Sequence, residues 1–193
     1  MVEKKLTKRQ IQAQETHDKI YAIAINLIEK KGFENITVAE ICEAAHVSVG
    51  SFYNYFKSKH EILDRIFKLA DDYFSTVVSN NLSEGTSQDK IAKFFNYYAE
   101  YNIDRGIDFV KQLYTGKNNL FATKGRPMQV VLQSIIEDGK KHGELSTDMT
   151  AEEVVKFLFI AVRGIVYDWC LHDGSYDLVQ YINNYVHRLI KLL

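Results

Sequence analysis

From about Glu15 the apolar residues recur at three- and four-residue steps, through Ile20, Ile23, Ala24, Leu27 and Ile28, and Gly32 then closes the segment as a C-terminal cap would. The pattern predicts a first helix. Thr37-Val-Ala-Glu40 has the T-x-x-E form of a capping box, in which hydroxyl and carboxylate satisfy free backbone N–H groups. A short helix follows to about Ala45. Ser48 caps a second short helix to Phe56, and Ser58-Lys-His-Glu61 is a further box opening a long helix through roughly Asn80.

Beyond it, Ser83-Glu-Gly-Thr-Ser87 precedes a helix that carries Ile91, Phe94, Phe95 and Tyr98 on one face, and Gly106 to Tyr114 gives a shorter one. Gly116 to Arg126 reads as a polar loop. Pro127 suits the first turn of the next helix, which carries Val130, Val131, Ile135 and Ile136 and ends near Gly143. Thr150-Ala-Glu-Glu153 is a third capping box before Val154 to Leu171, and a last helix runs from about Tyr176 to Leu192. The expectation is an all-α protein.

Composition agrees with that expectation. One Pro and ten Gly in 193 residues are too few for the turns of a β-sandwich or barrel, and 46% hydrophobic residues supply a core. Cys42 and Cys170 stand apart from each other and from any Cys/His cluster, so they read as buried reduced thiols, with no metal site and no disulfide. The charged opening residues contain no apolar signal-peptide stretch, and no segment reaches eighteen uninterrupted apolar residues. A cytoplasmic protein with no membrane partner is expected.

Two short helices joined by three or four residues, between a longer helix before and another after, form a helix-turn-helix whose second member can enter a DNA major groove. The run Thr37-Val-Ala-Glu-Ile-Cys-Glu-Ala-Ala-His-Val-Ser-Val-Gly-Ser-Phe-Tyr-Asn-Tyr-Phe-Lys-Ser-Lys59, continued by His-Glu-Ile-Leu63, resembles the DNA-binding signature of the TetR family of bacterial transcriptional regulators. The resemblance covers about residues 15 to 65. It implies an all-helical homodimer with an N-terminal helix-turn-helix domain, set at residues 1–58, and an effector-binding and dimerisation domain, set at 59–193. A long helix would link the two. His46 departs from the family pattern, which usually has glycine in this turn; histidine tolerates a left-handed backbone better than most residues.

Ile41, Val47, Phe52 and Phe56 fall where they would close a three-helix core with Ile23 and Leu27. Thr37, at a helix N-terminus, suits a phosphate oxygen, and the resemblance implies backbone contacts for Tyr53, Tyr55 and Lys59. Base reading falls to Ser48, Val49, Gly50, Ser51 and Tyr53 at the start of the second short helix, with Asn54 the one amide nearby. None of the first group is Arg, Asn or Gln, so readout leans on hydroxyls, methyl contacts to thymine and DNA shape. Lys4, Lys5, Lys8 and Arg9 read as a flexible basic arm, either touching the minor groove or phosphates or serving as a solubilising tail.

The second half is rich in aromatics. Phe67, Phe94, Tyr98, Tyr101, Phe109, Phe159, Arg163 and Tyr167 are the candidate effector-binding residues, and Val154 to Val166 is apolar nearly all round, so it must be covered on every face. Arg163 within that helix needs an anionic partner or hydrogen-bond acceptors, supplied by an internal carboxylate or by the head group of an anionic or polar effector. Leu178, Ile182, Tyr185, Val186, Leu189 and Leu193 mark a dimer face on the last helix, shared with parts of the one before.

No catalytic motif appears: there is no HExxH, GxSxG or Walker A loop, and the six histidines are scattered. The expected function is a repressor released from a pseudo-palindromic operator by a small apolar or aromatic effector, with a helical protein-binding adaptor as the alternative and no cofactor. The net charge of -1 divides unevenly. Residues 1–68 hold 11 basic against 9 acidic side chains, a net of +2, and residues 69–193 hold 13 against 16, a net of -3. Operator affinity is therefore expected to rest on a few placed groups and on the basic arm rather than on a broad basic field.

Overall fold

The computed structural model describes residues 7–114 and 119–193. Among them the regular elements are helical: α1 (Lys8–Lys31), α2 (Val38–Ala45), α3 (Val49–Tyr55), α4 (His60–Tyr73), α5 (Ser87–Arg105), α6 (Ile107–Leu113), α7 (Pro127–Lys141), α8 (Ala151–Leu171) and α9 (Leu178–Ile190). The chain divides into two compact units, one ending at Ile66 and the other beginning at Phe67, within α4.

In the first unit α1 begins about two turns earlier than its apolar periodicity. Thr7 Oγ1 accepts the Gln10 N–H at 3.3 Å and Gln10 Oε1 accepts the Thr7 N–H at 2.8 Å, a capping box with glutamine in place of glutamate. Lys8 and Arg9 therefore lie in the first helical turn and not in a flexible arm, while Lys4 and Lys5 fall outside the described residues. The buried stripe of α1 is Ile20, Ala24 and Ile28, packed with Ile41, Phe52, Phe56 and Ile62. Ile23, Leu27 and Val47, expected in this core, are half-buried: the i, i+4 row one position over points inward. The expected Ser58 cap is also replaced, since Glu61 accepts the Lys57 N–H at 2.5 Å.

In the second unit the helix continues past Tyr73 through a π-helical turn, Phe74–Val78. Its cause is local. Ser75, Thr76 and Ser79 donate their hydroxyls back to the carbonyls of Asp71, Asp72 and Ser75 at 2.7, 2.5 and 2.7 Å, competing with the backbone ladder. Thr86 with Asp89 caps α5, Thr150 with Glu153 caps α8, and Pro127 takes the first position of α7. The core is a cluster of rings, Phe74, Phe94, Phe95, Tyr98 and Phe159, surrounded by aliphatic side chains of α7, α8 and α9. Leu178, Ile182, Val186 and Leu193 belong to this core. They cannot also face a second subunit, which corrects the expected dimer residues; the amphipathic stripe of α9 is already used inside its own chain. Among the described residues no helix is long and apolar enough to cross a membrane.

Candidate DNA-reading face and effector cleft

The reading face is built on two caps and one left-handed residue. Thr37 and Glu40 form the predicted box at the start of α2, and the Glu40 carboxylate also accepts from Lys31 Nζ at 2.9 Å. The lysine first, then the Thr37 donors, hold this carboxyl at about 2. At the other end of α2, His46 adopts φ 53° and ψ 46°, and the Val47 N–H bonds to Cys42 O at 3.0 Å. That turn lets Ser48 start α3 at once, its Oγ accepting the Ser51 N–H at 3.0 Å.

Phe52 anchors α3 in the core, so the remaining positions look outward. Ser48, Val49, Gly50, Tyr53 and Asn54 are exposed, and Ser51 and Tyr55 are half-buried. Thr37 is exposed too, although its hydroxyl and N–H are engaged with Glu40. Lys59 has a different surrounding from the one its position implied. Its half-buried ammonium donates to Phe33 O and Ile36 O, both at 2.8 Å, and lies 4.4 Å from the centre of the Phe33 ring. It thereby pins the segment that delivers Thr37 to the surface.

A second tie was not foreseen from the sequence. His17 stacks on Phe56 at 4.7 Å, and Arg65 donates to Asp18 Oδ1 at 3.0 Å, joining α1 to α4. Hydrogen bonds from Gln14, His17 and Arg65 hold the Asp18 carboxyl at about 2. Arg65 lies 47 residues from Asp18, and no periodicity marks that pairing.

The second unit contains a cleft of about 630 Å³ between α7, α8 and a 3-10 turn at Asn119–Ala122. Phe121, Val155, Phe159 and Ile160 supply its apolar lining, and Lys124, Lys156 and Arg163 outnumber Glu152 among its charged residues, Lys124 pairing with Glu152 at 3.1 Å. Gln129 and Gln133 of α7 complete the wall. Among the described residues Arg163 pairs with no carboxylate; a backbone hydrogen-bond acceptor meets it instead. Its Nη1 donates to Phe121 O at 2.8 Å, its guanidinium lies 4.6 and 4.9 Å from the Phe121 and Phe159 ring centres, and its buried Nε has no hydrogen-bond partner.

Of the candidate effector residues, the cleft brings together Phe159 and Arg163. Phe94, Tyr98 and Phe109 are buried, Tyr98 sharing a 2.8 Å hydrogen bond with Tyr114. Tyr101 stacks on Tyr73, Phe67 lies under the guanidinium of Arg126, and Tyr167 is exposed. One signal could have found more of the wall: Glu152, Val155, Lys156, Phe159, Ile160 and Arg163 follow three- and four-residue steps along one side of α8.

Exposed apolar side chains also persist on the last two helices, at Ile160, Tyr167 and Leu171 of α8 and Tyr181 and Tyr185 of α9. The Tyr176, Tyr181 and Tyr185 rings follow one another at 4.6 and 5.1 Å. Among the described residues no group of three or more His, Cys, Asp or Glu is placed to hold a metal ion.

Residues 20–66 match the family model described as bacterial regulatory proteins, tetR family, and residues 122–192 match that of the YsiA-like protein, C-terminal region. The chain is 26% identical over 178 residues to the fatty acid metabolism regulator protein of Bacillus subtilis, covering 87% of this chain and 90% of that one. Among solved structures it is similar to the transcriptional regulator FadR from Bacillus subtilis in complex with stearoyl-CoA, with a TM-score of 0.77 and 22% identity, covering 91% of this chain and 98% of that one. FadR of Thermus thermophilus in complex with lauroyl-CoA gives a TM-score of 0.67 and 22% identity, covering 91% and 93%.

Proposed function

The chain belongs to the TetR family of bacterial regulatory proteins, and on that premise we propose that it is a cytoplasmic, ligand-responsive transcriptional repressor of the fatty acyl-CoA class. Two copies grip a pseudo-palindromic operator, each placing α3 in a major groove. Ser48, Val49, Gly50, Ser51, Tyr53 and Asn54 meet the bases, and Thr37 and Tyr55 meet the backbone; Lys59 serves the face from behind through Phe33 and Ile36. Tyr167 and Leu171 of α8 with Tyr181 and Tyr185 of α9 form the dimer contact, because exposed apolar side chains gathered on two packed helices suit a partner site.

The observation that carries the effector class is the pairing of apolar side chains with a cationic excess in the lining of one cleft. Its volume of about 630 Å³ falls within the range of small-molecule sites, roughly 300 to 1,000 Å³. An acyl-CoA offers an alkyl chain to Phe121, Val155, Phe159 and Ile160, and anionic phosphates to Lys124 and Lys156. Arg163, with an unfilled Nε–H among apolar neighbours, suits the polar carbonyl between the two parts. Relatives named for fatty acid metabolism, and fold neighbours bound to stearoyl-CoA and lauroyl-CoA, support this reading.

Release follows from linkage. An effector that prefers a separation of the two readers unlike the roughly 34 Å between successive major grooves weakens operator binding. A hundredfold loss requires about 2.7 kcal/mol of differential effector binding. Titration calorimetry with stearoyl-CoA is the test of the cleft: saturable binding is expected, weakened at least tenfold by Arg163→Leu and by Lys156→Glu. Binding that neither variant weakens would remove the cleft from the proposal.

A further inference from the structure

We infer that the operator is read through thymine methyl groups and that Val49 is the residue that sets this specificity. The inference rests on the DNA-reading role proposed for α3 and names the chemistry of its readout. Val49 stands in the first turn of α3 with 46% of its surface exposed, and Tyr53, one turn on, is 54% exposed. Residues four apart share a helix face, so the two make an exposed ridge along the edge of α3 that flanks the buried Phe52. The edge-on contact of the Tyr53 ring with Phe52, 5.5 Å between centres at 87°, fixes the direction of the ridge.

The polar groups around the ridge leave little else to read with. α3 has no Arg, Lys, Gln or carboxylate, and its one amide, Asn54, lies near its far end. The Ser48 oxygen accepts the Ser51 N–H, which restricts the directions left to its hydroxyl. Gly50 has no neighbour nearer to an added Cβ than Ser48 Oγ at 3.9 Å, so the backbone beside Val49 is open to close approach. In the major groove the only apolar group a base presents is the C5-methyl of thymine. A valine has one strongly preferred rotamer in a helix, which makes it a rigid probe for a methyl group.

The test begins with duplexes selected from random DNA by the full-length chain. Each thymine of the selected sequence is replaced singly by deoxyuridine, which removes only the methyl, and affinity is read by fluorescence anisotropy at fixed salt. One thymine per half-site is expected to matter, its loss weakening binding about fourfold, the value of one buried methyl-sized group. Val49→Ala is expected to bind the thymine duplex about fourfold more weakly per half-site and to be indifferent to deoxyuridine there. Val49→Ile, which keeps the methyl contact, retains the thymine preference. Indifference of the natural chain to every deoxyuridine, or the same deoxyuridine penalty in Val49→Ala, would overturn the inference. If no sequence is enriched at all, the DNA-reading role fails first and this inference falls with it.

Discussion

Arg126 Nε donates to Asp71 Oδ2 at 3.1 Å, and both side chains are buried. The same carboxylate accepts the Met128 N–H through Oδ1 at 3.4 Å, so Asp71 of α4 serves the open first turn of α7 as well as the guanidinium. Arg126 is also next in the chain to Lys124 and Gly125 in the lining of the cleft. One buried pair thus fixes α4, the start of α7 and this part of the cleft lining together.

Removing one partner leaves a buried charge without compensation. Arg126→Met should lower the unfolding free energy by about 3 kcal/mol, and the double variant Asp71→Leu/Arg126→Met should recover most of that loss. Urea unfolding of the natural chain, the single variants Arg126→Met and Asp71→Leu, and the double variant checks it. Additive losses in the double variant would show that the two side chains do not depend on each other.

Lys59 is expected to act by positioning. Lys59→Met removes two charge-assisted hydrogen bonds to Phe33 and Ile36 and should destabilise the reader by about 2 kcal/mol. Operator affinity falls with it. The slope of log K against log salt should stay unchanged, whereas a lost phosphate contact reduces its magnitude by about 0.9.

The acid limb of stability should report the first unit. The Asp18 carboxyl is held at about 2 against an ordinary 3.8, and that of Glu40 at about 2 against 4.5. A lowered folded-state pKa stabilises above the unfolded value and is lost as pH falls through the folded one. The window is therefore about pH 4.5 down to about 2. Between those limits thermal midpoints of the natural chain should drop more steeply than those of Asp18→Asn/Glu40→Gln. Both carboxylates face solvent, so the effect is modest and shrinks with salt.

The exposed stripe of α8 gives a prediction about assembly. Tyr167→Glu/Leu171→Glu alters two exposed side chains outside the buried core and should leave the fold intact. Light scattering should find this variant monomeric where the natural chain is dimeric, with operator binding weakened because the two half-sites are no longer read as a unit. A variant that stays dimeric would place the interface elsewhere.

The sequence disclosed what short-range rules govern. The boxes at Thr37 and Thr150, the cap at Ser48 and the left-handed turn at His46 each depend on residues within four positions, and each appears as read. Thr7 was missed because Lys8 to Gln14 show little apolar periodicity, although Thr7 and Gln10 carry the box in a less familiar form. The π-helical turn was not readable because it arises from three hydroxyls competing with one ladder. Partner choice over long separations was harder still. Arg163 reads from the sequence as needing an anionic partner or hydrogen-bond acceptors, but which acceptor it takes is not legible: a backbone carbonyl 42 residues away and two ring faces surround its guanidinium. The effector residues suffered most, since an aromatic that fills a core and one that lines a cleft look alike until α7 and α8 are placed: Phe94 is core, Phe159 lines the cleft.

The central claim, that a filled cleft weakens the hold of α3 on DNA, is tested most directly by titrating a selected operator duplex with and without saturating stearoyl-CoA at one salt concentration. The account predicts an operator affinity lowered about a hundredfold by the ligand, and by linkage a stearoyl-CoA affinity lowered by the same factor on the DNA-bound protein. Equal operator affinity in the two titrations, with stearoyl-CoA shown to be bound, would contradict it.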